Sequence, residues 1–127
     1  MTRPLVVKVT AGEDSPERCL QGLTVSSVAA ASGASVSLWL TGEAVWLATP
    51  GRDLVLPESP PASQLLASLL NAAGSGTSTA PATVTVCTQC AARRGLTQPD
   101  LLPGVRLAGA ASFVSEALAD DAQALVY

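Results

Sequence analysis

The segment Leu5-Val6-Val7-Lys8-Val9-Thr10-Ala11-Gly12-Glu13-Asp14-Ser15-Pro16-Glu17 decides the fold class, because a strand pattern passes there directly into a helix pattern. Residues 5–10 are rich in β-branched side chains, which is typical of a buried strand. Asp14 or Ser15 can cap the helix that follows, and this helix is predicted to reach about Ser32. The apolar stripe of the helix is predicted to comprise Leu20, Leu23, Ser27, Val28 and Ala31.

The same alternation of strand and helix patterns continues to the end of the chain. Further strands are predicted at residues 35–40, 82–86, 105–108 and 123–127. Helices are predicted at residues 43–48, 63–73, 88–94 and 113–119, and a flexible surface connector at residues 74–81. This order indicates an α/β domain over residues 1–127, in which helices cover both faces of a mostly parallel five-stranded sheet. The order of the strands in the sheet cannot be read from the pattern.

Composition excludes several classes of protein. The chain has 127 residues, 48% of them hydrophobic and 13% charged, which excludes a disordered chain. Only seven residues are Lys or Arg and the net charge is −3, so a nucleic-acid backbone would meet no basic patch. The charged fraction is about half of the usual quarter, and this predicts a homo-oligomer that hides apolar surface between subunits.

Residue usage also limits the chemistry and the compartment. The chain has no histidine, which excludes Ser-His-Asp catalysis and histidine-containing zinc sites. No signal segment and no apolar run of about 18 residues is present, so we expect a cytoplasmic protein without a membrane segment. Its three cysteines are then free thiols, and nothing in the sequence requires a metal or another cofactor.

Candidate site residues follow the predicted strands, because ligands of open parallel sheets bind at the carboxyl ends of the strands. Gly12 follows the first strand, and Gly42 with Glu43 follows the second. We predict that these three residues contact a substrate or partner. The alternative is structural, since tight strand-to-helix turns need glycine and a loop carboxylate can simply be solvated or cap a helix.

Cys87 carries the strongest chemical signal, since it stands where a strand passes into a helix. Free N–H groups and the helix dipole at such a position stabilise a thiolate, the reactive form of cysteine. Cys90 completes the motif Cys87-Thr88-Gln89-Cys90, which fits a redox pair and also fits a sulfur-carrying cysteine with a resolving thiol. Cys90 could instead only pack within the helix, whereas Cys19 is expected to be structural.

Arg93 and Arg94 follow Cys90 by three and four residues, so one of them lies on the same helical face. We predict that they attract an anionic sulfur species or the acidic surface of a partner. The alternative is a solvated face that interacts favourably with the helix C-terminus.

The stretch Val84-Thr85-Val86-Cys87-Thr88-Gln89-Cys90-Ala91-Ala92-Arg93-Arg94-Gly95-Leu96 resembles the DsrE/DsrF-like family, some of whose members serve in bacterial sulfur relays. The turn at residues 10–12 and the stretch at residues 38–45 are also similar to that family. The resemblance implies a three-layer α/β/α fold, trimers or hexamers, and a persulfide on Cys87. Cys90 departs from the relay pattern, which does not require this second thiol.

The sequence therefore favours a sulfur carrier or sulfurtransferase-type subunit that holds a persulfide on Cys87 and exchanges sulfur with donor and acceptor proteins. A thiol–disulfide redox protein that uses Cys87 and Cys90 is the first alternative. The second is a non-enzymatic oligomeric module that binds a small ligand or a partner.

Overall fold

The computed structural model describes residues 3–74 and 82–127, so residues 75–81 of the predicted connector lie outside the described residues. The strands are β1 (Pro4–Val9), β2 (Ser35–Leu40), β3 (Ala82–Cys87), β4 (Arg106–Ala108) and β5 (Gln123–Val126). The α-helices are α1 (Pro16–Ala31), α2 (Ala62–Gly74), α3 (Thr88–Arg93) and α4 (Ala110–Ala117). Two 3₁₀ helices, Gly42–Ala48 and Gln98–Asp100, complete the described elements.

The five strands form one parallel sheet in the order β4-β3-β2-β1-β5. The chain moves outward in one direction from β1 to β4 and then crosses back to place β5 beside β1. Because parallel crossovers are right-handed, this reversal puts the helix before β5 on the opposite face from the earlier helices. The three-layer α/β/α prediction is confirmed.

One face of the sheet carries the main core. It is built from β-branched and leucine side chains of β1, β2 and β3 together with α1 and α2, including Val7, Val9, Leu38, Leu40, Val84, Leu23 and Leu66. Ala91 of α3 belongs to the same cluster, so α3 lies on this side as well. The other face presents the alternate residues of the strands to α4, and Trp39, Thr85 and Val6 are buried there.

Two details of α1 differ from the prediction. Ser15 is the N-cap residue but makes no side-chain capping hydrogen bond, and Asp14 accepts a hydrogen bond at 2.8 Å from the Gly12 N–H of the preceding loop rather than from the helix. The predicted apolar stripe is wrong at Val28, which is 60% exposed, and at Ala31, which is exposed as well. The buried face runs through Cys19, Gly22 and Ser26 instead. None of the helices in the described part of the chain has both the length and the apolar run that a bilayer crossing demands.

Candidate functional site

The carboxyl ends of the strands lie at one edge of the sheet, because every strand pair is parallel. The chain leaves β1 towards Gly12, β2 towards Gly42 and Glu43, and β3 at Cys87. β4 is the neighbour of β3 and leads into Gly109, the N-cap residue of α4. The structure therefore brings the strand-end residues that the sequence singled out to a single edge of the sheet.

Gly12 and Gly42 hold the loops after β1 and β2 in direct backbone contact. A Cβ on Gly12 would stand 2.5 Å from the carbonyl oxygen of Glu43, far inside van der Waals contact. Gly42 has a φ of +54°, and a Cβ there would stand 2.6 Å from the carbonyl oxygen of Thr10. Both glycines thus have a packing reason, and their contact with a substrate or partner stays a prediction.

Glu43 and Arg94 contact each other across this edge. Arg94 Nε donates to Glu43 Oε2 at 2.9 Å, and Nη2 lies 2.8 Å from the same oxygen. Arg94 Nη1 also donates to the carbonyl oxygen of Cys90 at 3.1 Å. The pair therefore joins the 3₁₀ helix after β2 to the end of α3. Arg93, in contrast, is exposed and has no ion-pair partner among residues 3–74 and 82–127.

Cys87 is the N-cap residue of α3; its thiol is half-buried and makes no capping hydrogen bond. Partial burial raises the pKa of this thiol. The neighbouring polar groups of α3, namely the N–H groups of Cys90 and Gln89 and the Cys90 thiol, act in the opposite direction, as does the positive charge of Lys8. Together they prevail, so the pKa of Cys87 lies below that of an ordinary thiol. A lowered thiol pKa raises the fraction of thiolate, the nucleophilic form of cysteine, at a given pH.

The other two cysteines occupy different environments. Cys90 is half-buried against the core, and its thiol contributes to lowering the pKa of Cys87. Cys19 is fully buried, and burial together with the negative charge of Asp14 raises its pKa to about 12. The structure therefore brings Cys87 and Cys90 together and keeps Cys19 away from solvent.

Lys8 is a candidate site residue that the sequence pattern did not single out. It lies within β1, which has strands on both sides, and its Nζ stands 4.4 Å from the centroid of the Phe113 ring of α4. The Phe113 ring packs edge-on against Trp39, with their centroids 5.5 Å apart. A signal existed, since Lys8 is the only lysine of the chain and it interrupts an otherwise apolar strand run.

A polar network fixes α4 on this face of the sheet. Glu116 accepts hydrogen bonds from the Ser37 hydroxyl and from Trp39 Nε1, the latter at 3.1 Å. Its other carboxylate oxygen pairs with Arg106, whose Nε in turn donates to the Thr85 hydroxyl. Burial raises the pKa of Glu116, but these donors and the arginine charge outweigh it and lower the pKa overall. The network holds α4 over the strands that lead to Cys87.

The arrangement supports thiolate chemistry. Within the described ranges, no group of three Cys, Asp or Glu side chains comes together as a metal site would require. What the edge does offer is a thiol of lowered pKa at a helix start, a second thiol in the same helix and the positive charge of Lys8. These groups can attack a sulfur atom and stabilise the negative charge that the transfer creates.

Known proteins share this architecture. The sequence matches the model of the DsrE/DsrF-like family over residues 4–126. The ychN protein from E. coli has a crystal structure that superposes with a TM-score of 0.75 at 21% identity, with 100% of each chain covered. The MTH1491 protein from Methanobacterium thermoautotrophicum, whose function is unknown, superposes with a TM-score of 0.68 at 13% identity, covering 98% of this chain and 99% of that one. No curated protein matches the sequence. Because the family match spans nearly the whole chain, this protein belongs to the DsrE/DsrF-like family.

Proposed function

We propose that this protein is a sulfur carrier that holds a persulfide on Cys87 and passes the outer sulfur to an acceptor thiol. One observation carries the proposal: the Cys87 thiol stands at the start of α3, where backbone N–H groups, the Cys90 thiol and the charge of Lys8 favour its anionic form. Membership of the DsrE/DsrF-like family, which suggests a role in sulfur relay, supports it.

The proposed transfer is an exchange between sulfur atoms with no net oxidation. The Cys87 thiolate attacks the outer sulfur of a donor persulfide, and a new bond joins that sulfur to Cys87 Sγ. The S–S bond of the donor breaks, and the donor thiolate leaves with the electron pair. The transferred sulfur keeps its proton or its negative charge. An acceptor thiolate on a partner protein then attacks the same atom and releases Cys87 as a thiolate.

Intact mass measurement tests the proposal. The protein is incubated with a cysteine desulfurase and cysteine, and we expect the wild type to gain the mass of one sulfur atom. Cys87→Ser should gain none, whereas Cys19→Ser is the matched control and should gain as much as the wild type because Cys19 is buried. Absence of any gain in the wild type, or an equal gain in Cys87→Ser, would overturn the assignment. Unchanged binding of a captured partner by Cys87→Ser would favour a non-enzymatic binding module instead.

Thiol–disulfide exchange is the second candidate, because Cys90 stands one helical turn after Cys87 and its thiol helps to lower the pKa of Cys87. A redox protein would cycle a Cys87–Cys90 disulfide at about −200 to −300 mV, near the cytosolic pool. A sulfur carrier would not need Cys90 for loading. Cys90→Ala should then load normally and hold its persulfide longer, since the neighbouring thiol can attack the persulfide and release sulfide. Abolished loading in Cys90→Ala would favour the redox function.

We also propose that the protein assembles into a homo-oligomer, a trimer or a hexamer, in the cytoplasm. Three apolar side chains on the α4 side of the sheet support assembly: Val114, Leu118 and Val126 are 50%, 79% and 63% exposed. Val126 pairs with Lys8 across β1 and β5, so it shares the face that α4 covers. The free state of all three cysteines fits a reducing compartment. Sedimentation at micromolar concentration should give a multiple of 12.8 kDa, and a monomer would refute the assembly.

A further inference from the structure

Lys8 is a charged residue in an interior strand, where apolar side chains are favoured. β1 is flanked by β2 and β5 in a parallel sheet with helices on both faces, an environment that selects apolar side chains. A half-buried ammonium there is costly unless a partner compensates for the lost hydration. The Phe113 ring gives part of that compensation through its electron-rich face. Within residues 3–74 and 82–127, every ion pair joins an arginine to a glutamate, so no carboxylate neutralises Lys8.

Register places the ammonium on the same side of the sheet as the Cys87 thiol. Lys8 pairs with Trp39, and Trp39 pairs with Thr85, so these three side chains share one face. Cys87 is two residues beyond Thr85 and therefore projects to that face as well. It pairs with Ala108, two residues before the start of α4.

The first turn of α4 thus begins beside Cys87 and carries Phe113 to the Lys8 side chain. Phe113 stands in the fourth position of α4, and its ring contacts both the Lys8 ammonium and Trp39. The ring keeps the long lysine side chain along the sheet face rather than free in solvent. In agreement with this shared face, the positive charge of Lys8 contributes to lowering the pKa of Cys87.

The carboxylates of the elements packed around Cys87 are paired with arginines and not with Lys8. Glu43 of the 3₁₀ helix is paired with Arg94 of α3, and Glu116 of α4 is paired with Arg106 of β4. Arg93 of α3 is exposed and turned to solvent. A new negative charge at Cys87 therefore meets the ammonium of Lys8 as the one uncommitted cation on the sheet face, as far as the described residues show.

We infer that Lys8 is a positioning residue for the sulfur that Cys87 carries, and that its ammonium stabilises the negative charge on the outer sulfur of the persulfide. This inference rests on the proposed function. During loading, the outer sulfur moves from the donor to Cys87 Sγ and brings a charge beyond the reach of the α3 N–H groups. The Lys8 ammonium stabilises the negative charge on that outer sulfur. The site therefore favours an anionic persulfide donor and an anionic persulfide product.

Three variants test the inference. Lys8→Met removes the charge, Lys8→Arg keeps it, and Arg3→Met removes a cation at the amino end of the same strand, where Arg3 Nε donates to the Asp121 carbonyl oxygen at 3.3 Å. Loading by the desulfurase and decay of the persulfide are followed by intact mass at neutral pH. We expect Lys8→Met to load about three- to tenfold more slowly than the wild type, and Lys8→Arg and Arg3→Met to match it.

A second readout separates electrostatics from a merely structural role. The rate of Cys87 alkylation is measured against pH without any sulfur donor, and its midpoint in Lys8→Met should lie higher than in the wild type by about 0.5 to 1. Phe113→Leu keeps the lysine but removes the ring, so it should shift the midpoint in the same direction even if Lys8→Met fails to fold.

The outcomes distinguish this inference from the proposed function. A wild-type protein that gains no sulfur overturns the proposed function, and the inference falls with it. A wild-type protein that loads, beside Lys8→Met with the same loading rate and the same alkylation midpoint, overturns the role of Lys8 and leaves sulfur carriage intact. Slow loading in Arg3→Met as well would mean that net charge acts rather than Lys8, and would also overturn the inference.

Discussion

The Arg94 guanidinium holds one oxygen of the Glu43 carboxylate with two of its nitrogens, at 2.9 Å from Nε and 2.8 Å from Nη2. These residues were predicted separately as contacts for a substrate or partner. In the structure they bind each other, and this contact joins the 3₁₀ helix after β2 to α3, whose N-cap residue is Cys87. A ligand at this edge would therefore meet the pair as one neutral unit.

The first prediction concerns the strength of this pair. A double-mutant cycle with Glu43→Gln and Arg94→Gln should give a coupling of about 0.5–1 kcal/mol, because the contact is two-pronged and the Arg94 side chain is 21% exposed. Urea unfolding supplies the four free energies. Arg52 and Glu13 form the matched control at 3.7 Å with side chains 42% and 63% exposed, and their coupling should be close to zero. Equal couplings for the two pairs would contradict the interpretation.

The second prediction ranks the cysteines by reactivity. With limiting iodoacetamide near neutral pH, Cys87 should be alkylated first, because its pKa is lowered and its thiol is half-buried. Cys19 should be alkylated last, since it is buried and its pKa is raised to about 12. Peptide mapping after a short exposure identifies the labelled residue. Early labelling of Cys19 in the folded protein would show that the site is misplaced.

The third prediction concerns the contact between the loops after β1 and β2. Gly12→Ala should lower the free energy of unfolding by about 1–3 kcal/mol, because the new methyl group would press on the Glu43 carbonyl oxygen 2.5 Å away. Gly109→Ala is the control, since no atom lies within 4 Å of a Cβ there, and its cost should stay below about 1 kcal/mol. Chemical denaturation measures both. An equal loss of unfolding free energy in Gly12→Ala and Gly109→Ala would show that the two loops can move apart without a cost in stability.

The fourth prediction uses the lowered pKa of Glu116. A carboxylate whose pKa is lower in the folded state stabilises the fold above its unfolded pKa of about 4.3, and that contribution is lost as the pH falls through the folded value. Glu116→Gln should therefore cost about 1–2 kcal/mol near pH 7 and progressively less below about pH 4. Unfolding free energies measured from pH 7 to pH 3 test this. A difference that stays constant over the whole range would show that the charge of Glu116 is irrelevant.

The sequence was a good guide to the elements of this fold for a physical reason. Runs such as residues 35–40 and 82–86 are β-branched and apolar because the strands are buried, and the structure has strands at Ser35–Leu40 and Ala82–Cys87. Boundaries were less accurate. α4 begins at Ala110, three residues before its predicted start, because Gly109 serves as the N-cap and small alanines fill the first turn.

Features that depend on tertiary contacts could not be predicted from the sequence pattern. The pairing of β5 with β1 rather than with β4 is not reflected in the local pattern of apolar and polar residues. The exposure of Val28 depends on which side of α1 faces the sheet, and Gly22 and Ser26 allow a close approach that hydrophobicity alone does not reveal. Among the candidate site residues, Cys87 can be predicted from its position at a strand end, whereas the placement of Lys8 depends on a ring in α4 that is distant in sequence.

The crossing of α4 from one edge of the sheet to the other has a consequence for native-state fluctuations. The chain enters α4 from β4 at one edge and leaves it for β5 at the opposite edge. We therefore expect that local unfolding of either α4 or β5 weakens the packing of the other. Amide protons of both elements should therefore exchange with solvent as a single cooperative unit, at a lower free energy than those of β2 in the centre of the sheet. Each such opening would move the Phe113 ring away from Lys8. The opening rate of the edge strand β5 would therefore determine how long the Lys8 ammonium stays in its position on the sheet face.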